Sequence, residues 1–69
     1  MNLTIELDRE VDGRWIADIP EIPGVLVYGN TREEAVAKVQ ALALRVIAEE
    51  IEHGERNAEP VNILFAVAA

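Results

Sequence analysis

Leu3-Thr4-Ile5-Glu6-Leu7-Asp8-Arg9-Glu10-Val11-Asp12-Gly13-Arg14-Trp15-Ile16-Ala17-Asp18-Ile19 (residues 3–19) is the stretch from which the fold is read. Leu3, Ile5 and Leu7 are apolar, while Thr4, Glu6 and Asp8 between them are polar. Period two with one wet face predicts a half-buried antiparallel strand over residues 2–8. Asp12-Gly13 marks a turn, and Arg14 to Ile19 resumes an extended pattern. A two-residue loop would set Leu7 opposite Asp18 and mix apolar with acidic on one face. A three-residue loop, Val11-Asp12-Gly13, pairs Leu7 with Ala17 and Ile5 with Ile19. Paired residues share a face, so this register leaves one apolar side. It is also the known type I turn with a bulge, Gly13 taking the left-handed conformation. Leu3, Ile5, Leu7, Ala17 and Ile19 then face the core, with Trp15 at its end. Glu6, Asp8 and Asp18 share the other side with Ile16.

Pro20-Glu21-Ile22-Pro23-Gly24 ends the second strand, because proline donates nothing to a ladder and Ile22 before Pro23 is pushed from helical geometry. Pro23-Gly24 suits the centre of a type II turn. Val25 to Tyr28 reads as a third short strand. Gly29-Asn30-Thr31 leads into a helix whose start carries a capping box, Thr31 with Glu34. Glu33 and Glu34 complement the positive end of the helix dipole. The helix is expected from about Arg32 to His53, closed by Gly54 as a C-terminal cap. Residues 55–60 form a polar loop. Val61, Ile63, Phe65 and Val67 then alternate with Asn62, Leu64, Ala66 and Ala68 in a last strand. The order β-β-β-α-β, with a right-handed crossover, places the fourth strand beside the first and parallel to it. The expected class is α+β: one domain over residues 1–69, sheet order 3-2-1-4, one helix on one face.

The chain of 69 residues carries 13 acidic and 6 basic side chains, a net charge of −7. That charge repels a phosphate backbone, so no direct nucleic-acid partner is expected. It suits a basic protein. Serine and cysteine are both absent, which removes the two commonest nucleophiles along with disulfides and thiolate metal sites. No apolar run is long enough to span a membrane, and no signal peptide opens the chain, so a cytoplasmic location is expected. Ordering 69 residues costs on the order of 100 kcal/mol at about 1.5 kcal/mol per residue, and oligomerisation is one route by which small domains become stable.

Apolar surface exceeds what one sheet face requires. Ala35, Val36, Val39, Leu42, Ala43, Val46 and Ile47 make the core stripe of the helix. Ala37, Ala41, Leu44, Ala48 and Ile51 fall outside it, and the last strand is apolar on both faces. Ala41, Leu44, Ala48, Ile51 and Leu64 are therefore the candidate contacts for a partner or for a second copy. Alanines at exposed helical positions are also simply good helix formers. Glu6, Asp8 and Asp18 put three carboxylates on one surface, a set that can hold Mg²⁺ or Ca²⁺. No loop ligand or cleft accompanies them, and a solvated sheet face is the reading kept. The lone His53 sits where a cation is favoured at a helix C-terminus. No phosphate-binding glycine loop is present. No catalytic residue, cofactor or metal is assigned.

The order of the pieces is more specific than any one of them. Gly13-Arg14-Trp15-Ile16-Ala17 opens the second strand with an aromatic; Pro20-Glu21-Ile22-Pro23-Gly24 follows, then the short strand to Tyr28, then Gly29-Asn30-Thr31-Arg32-Glu33-Glu34-Ala35. From Asn2 to Val67 this resembles the HicB-like antitoxin family, whose N-terminal domain is a truncated ribonuclease-H-like fold. The resemblance implies a type II toxin–antitoxin role, in which the chain covers a small HicA-type ribonuclease that cleaves messenger RNA. Many members add a C-terminal DNA-binding domain; none is expected here, where residues 1–69 read as a single domain and direct DNA binding is not expected. A solitary domain that associates only with itself is the alternative. A metal-dependent nuclease remnant is the least favoured, because the first strand offers Glu6 or Asp8 but the last strand only Asn62. The scaffold is expected to be catalytically empty.

Overall fold

A computed structural model describes residues 1–56 and 59–68. Its elements are β1 (Asn2–Arg9), β2 (Trp15–Asp18), β3 (Leu26–Gly29), α1 (Arg32–Glu52) and β4 (Leu64–Val67). One four-stranded sheet has the order β3-β2-β1-β4. β1 is antiparallel to β2 and parallel to β4, and β2 is antiparallel to β3. This is the α+β arrangement that the hairpin and the crossover rule predict.

The hairpin takes the three-residue loop. Leu7 lies opposite Ala17 and Glu6 opposite Asp18. Glu10 and Arg14 close the loop, the Glu10 amide donating to the Arg14 carbonyl (2.7 Å) and the Gly13 amide to the Glu10 carbonyl (2.9 Å). Gly13 has φ +93°, as the bulge requires. Asp12 braces the turn, accepting from the Arg14 amide (3.0 Å) and from its Nε (2.8 Å). Those two bonds hold the Asp12 carboxyl below its usual range, the Arg14 amide contributing most. The second turn forms with Pro23 and Gly24 at its centre: the Val25 amide donates to the Ile22 carbonyl (3.2 Å), and Gly24 has φ +85°.

The β1–β2 register, continued past Asp18, sets Thr4 opposite Pro20, where the ladder ends. Glu21 supplies the missing acceptor. Its two carboxylate oxygens accept from the Thr4 amide (3.0 Å) and hydroxyl (2.8 Å). These bonds, the amide first, lower the Glu21 pKa from 4.5. A carboxyl whose pKa is lower folded than unfolded adds stability at neutral pH. That addition is lost as pH falls from the unfolded value through the folded one. Wild type is therefore expected to lose thermal stability more steeply than Glu21→Gln as pH falls below about 4.5, the ordinary glutamate range. Parallel pH-dependent melts would show nothing in this window if the Glu21–Thr4 bonds were absent.

Thr31 caps α1, its hydroxyl accepting from the Glu34 amide (3.0 Å). The reciprocal half of the expected box differs. Glu34 reaches past Thr31 to accept from the Asn30 amide (3.3 Å), while also pairing with Lys38 (3.0 Å). The Lys38 partner, then Asn30, lowers the Glu34 pKa. At the other end His53 is the C-cap. The Gly54 amide donates to Ile51 and the Glu55 amide to Glu50, the two bonds of a Schellman motif. The helix so closed ends one residue before the expected His53.

The core is Leu3, Ile5, Ala17, Ile19, Ile22, Val25, Ala35, Val39, Ala43 and Ile47. Leu7, Trp15, Val36, Leu42 and Val46 are half-buried against it. α1 lies over β3 and β2 and touches β1 less. At its first turns the helix backbone rests on Gly29. A Cβ there would lie 2.6 Å from the Ala35 nitrogen and 2.9 Å from its Cα.

The last strand is shorter than expected. It begins at Leu64 rather than Val61, because β1 pairs with it only from Asn2, opposite Leu64, onward. The Met1 amino group donates to the Asn62 carbonyl ahead of that pairing. Of the expected loop over 55–60, Asn57 and Ala58 lie outside the described residues.

Candidate interaction surfaces

Strand alternation sorts the exposed side chains. Leu3, Ile5 and Ala17 point to the helix, so Thr4, Glu6, Asp8, Ile16 and Asp18 point to the uncovered face of the sheet. Register carries the sorting into β3. Tyr28 lies opposite Ile16 and Leu26 opposite Asp18. The uncovered face therefore joins an acidic row, Glu6, Asp8 and Asp18, to an apolar row, Ile16, Leu26 and Tyr28. Arg14 stands at its end, its guanidinium 4.6 Å from the centre of the Tyr28 ring and its Nε on Asp12. Among the described residues no ion pair involves Glu6, Asp8 or Asp18.

Glu6 faces Asp18 directly across the β1–β2 ladder, a like-charge pairing that is unfavourable in an isolated sheet. The three carboxylates, with Leu7 and Ala68, line a shallow depression. Among the described residues no three acidic or histidine side chains converge as a metal ion would need. His53 is exposed at the helix end.

The five candidate contact residues divide between two surfaces. Ala41, Leu44, Ala48 and Ile51 recur at spacings of three and four along the exposed side of α1, with Leu44 46% and Ile51 47% exposed. Leu64, 62% exposed, lies on β4. Phe65 pairs with core-facing Leu3, so Leu64 points to the opposite side of the sheet from the helix. The structure thus separates Leu64 from the helical stripe. Leu26 and Tyr28 lie outside the five. Their grouping with Ile16 follows only from the β2–β3 register.

β4 is one of the two outer strands of the sheet, hydrogen-bonded to β1 on one side. Val67 is 40% exposed, and Phe65 is half-buried. Among the described residues no helix is long and apolar enough to cross a membrane.

The chain is similar to a UPF0150 protein of Thermoplasma acidophilum, with 28% identity over 68 residues that cover 91% of this chain and 97% of that protein. No protein-family model matches the chain, and no solved structure matches it.

Proposed function

We infer that the chain is a non-catalytic binding domain of the HicB-like antitoxin type, which neutralises a small basic HicA-type ribonuclease by covering it with the uncovered face of its sheet. The observation that carries this reading is the pairing of Glu6 with Asp18, beside Asp8 and next to exposed Leu26 and Tyr28. Like charges held opposite each other weaken the free domain. A cationic partner relieves that repulsion, and the neighbouring apolar side chains supply area for a dry contact. The net charge of −7 speeds encounter with such a partner. Absence of serine and cysteine supports a binding role over covalent catalysis. Resemblance to the antitoxin family and the distant UPF0150 relative, matched over nearly its whole length, agree with a small domain of this type.

The test is capture with the tagged full chain from its native host, followed by assay of the retained protein. A small basic ribonuclease is expected, its cleavage of messenger RNA blocked by added chain. Capture is expected to fall with rising salt, since rim and patch charges act mainly through long-range attraction. Glu6→Lys with Asp18→Lys is expected to weaken capture at least tenfold while leaving the circular dichroism spectrum intact. A hydrogen bond to a charged group is worth about 1.5–3 kcal/mol, and about 1.4 kcal/mol is a factor of ten. A ribonuclease that cleaves equally fast with and without the chain would sink the antitoxin reading. Undiminished capture by the double variant would move the docking surface elsewhere.

A further inference from the structure

We propose that two copies of the chain pair through β4, antiparallel about a two-fold axis at Ala66, joining their sheets into one of eight strands. The proposal does not need the toxin reading: it uses the outer backbone edge of β4, which adjoins the acidic depression at Ala68.

The backbone sets the geometry. Leu64 and Ala68 donate their amides to the Met1 and Ile5 carbonyls of the β1 side. Alternation then turns the amide and carbonyl of Phe65 and of Val67 to the outer edge. An antiparallel second β4 centred on Ala66 sets each Phe65 opposite the other copy's Val67. Both pairs are of the hydrogen-bonded kind, so four backbone bonds form. The small Ala66 side chains meet at the axis, and Leu64 meets Ala68 beside them. Every facing pair is apolar.

Charge selects a second copy as occupant. All 19 charged side chains of the chain lie between residues 6 and 59, and none lies from Pro60 to Ala69. Two molecules of −7 repel over most of their surface, and this uncharged edge is where they can meet. A basic protein gains nothing there. β4 also lacks the lysine, proline and bulge by which natural edge strands avoid pairing.

The contact is small: one four-residue strand from each copy, against about 800 Å² per partner in a standard interface. A dimer that dissociates on dilution is the expected consequence. Pairing of the same edge in a two-fold closes it, whereas β4 on another copy's β3 would propagate a filament.

Sedimentation of the full chain is expected to show twice 7.6 kDa at high concentration and the monomer on dilution. Ala66→Glu places two like charges at the axis, and Ala66→Lys does the same with the opposite sign. Each alone is expected to stay monomeric, and their mixture to restore a dimer. A monomeric wild type at every concentration overturns the proposal. So does a dimer of Ala66→Glu as tight as wild type, or a mixture that stays monomeric. Amide exchange needs no variant. Phe65 and Val67 are expected to gain protection as concentration rises, and protection unchanged with concentration would equally overturn the pairing.

Discussion

Gly29→Ala is expected to destabilise the domain by about 1–3 kcal/mol, and Gly29→Val to leave it largely unfolded. The reason is what a Cβ would strike. Its neighbours are the Ala35 nitrogen at 2.6 Å and Cα at 2.9 Å, which are helix backbone and not a side chain that can swing aside. Relief would lift the first turns of α1 from β3. Those turns carry Ala35 and Val39, both fully buried. Moving them also draws Glu34 away from Asn30 and Lys38. A domain of this size rarely has more than about 3–5 kcal/mol in reserve, so the valine variant exhausts it. Urea unfolding followed by circular dichroism checks this. A Gly29→Ala midpoint equal to wild type would mean that the helix does not rest on the strand.

This contact illustrates what the sequence conceals. Gly29 reads as the lead into a helix, and nothing local marks it as the point where two backbones touch. Features that depend on neighbours in the chain were legible. The parity of Leu3, Ile5, Leu7, Ala17 and Ile19 selects the three-residue hairpin, and the structure has it. Pro23-Gly24 and Gly54 stand in the turn and cap that their chemistry suits. Features that depend on a distant partner were less so. The alternation from Val61 to Val67 is unbroken, but a strand extends only as far as its neighbour pairs with it, and β1 begins at Asn2.

The surfaces follow the same division. The stripe Ala41, Leu44, Ala48 and Ile51 can be drawn from spacing, and all four are exposed. Leu64 joins them by apolarity alone. Only the β1–β4 register shows that it points the other way. Val25-Leu26-Val27-Tyr28 is apolar throughout, so no alternation separates its buried positions from its exposed ones. Pairing with Ile16 and Asp18 makes that separation. Leu26 and Tyr28 are hidden in the sequence for this reason, while Ile16 and the acidic half of the uncovered face are visible in β1 and β2.

Ile5→Ala is expected to lower stability by about 2–5 kcal/mol. Ile5 is 1% exposed and sits on β1, between β2 and β4, with Val67 as its neighbour across the parallel ladder. The truncation leaves a cavity that Ala17 and Val39, already fully buried, cannot fill without moving strand or helix. By contrast Leu44→Ala, at an exposed helical site, is expected within about 0.5 kcal/mol of wild type. Equal losses from the two would show that Ile5 is not in the core. The Ile5 variant also probes the edge pairing. A dimer stabilises only the folded chain, so its unfolding midpoint rises with protein concentration. Near the threshold of unfolding, that rise governs how much chain is folded at all. Thermal melts of Ile5→Ala at low and high concentration should therefore diverge, and adding Ala66→Glu should bring them back together at the lower midpoint. Melts of Ile5→Ala that coincide across concentrations would show that β4 contributes no intermolecular stability.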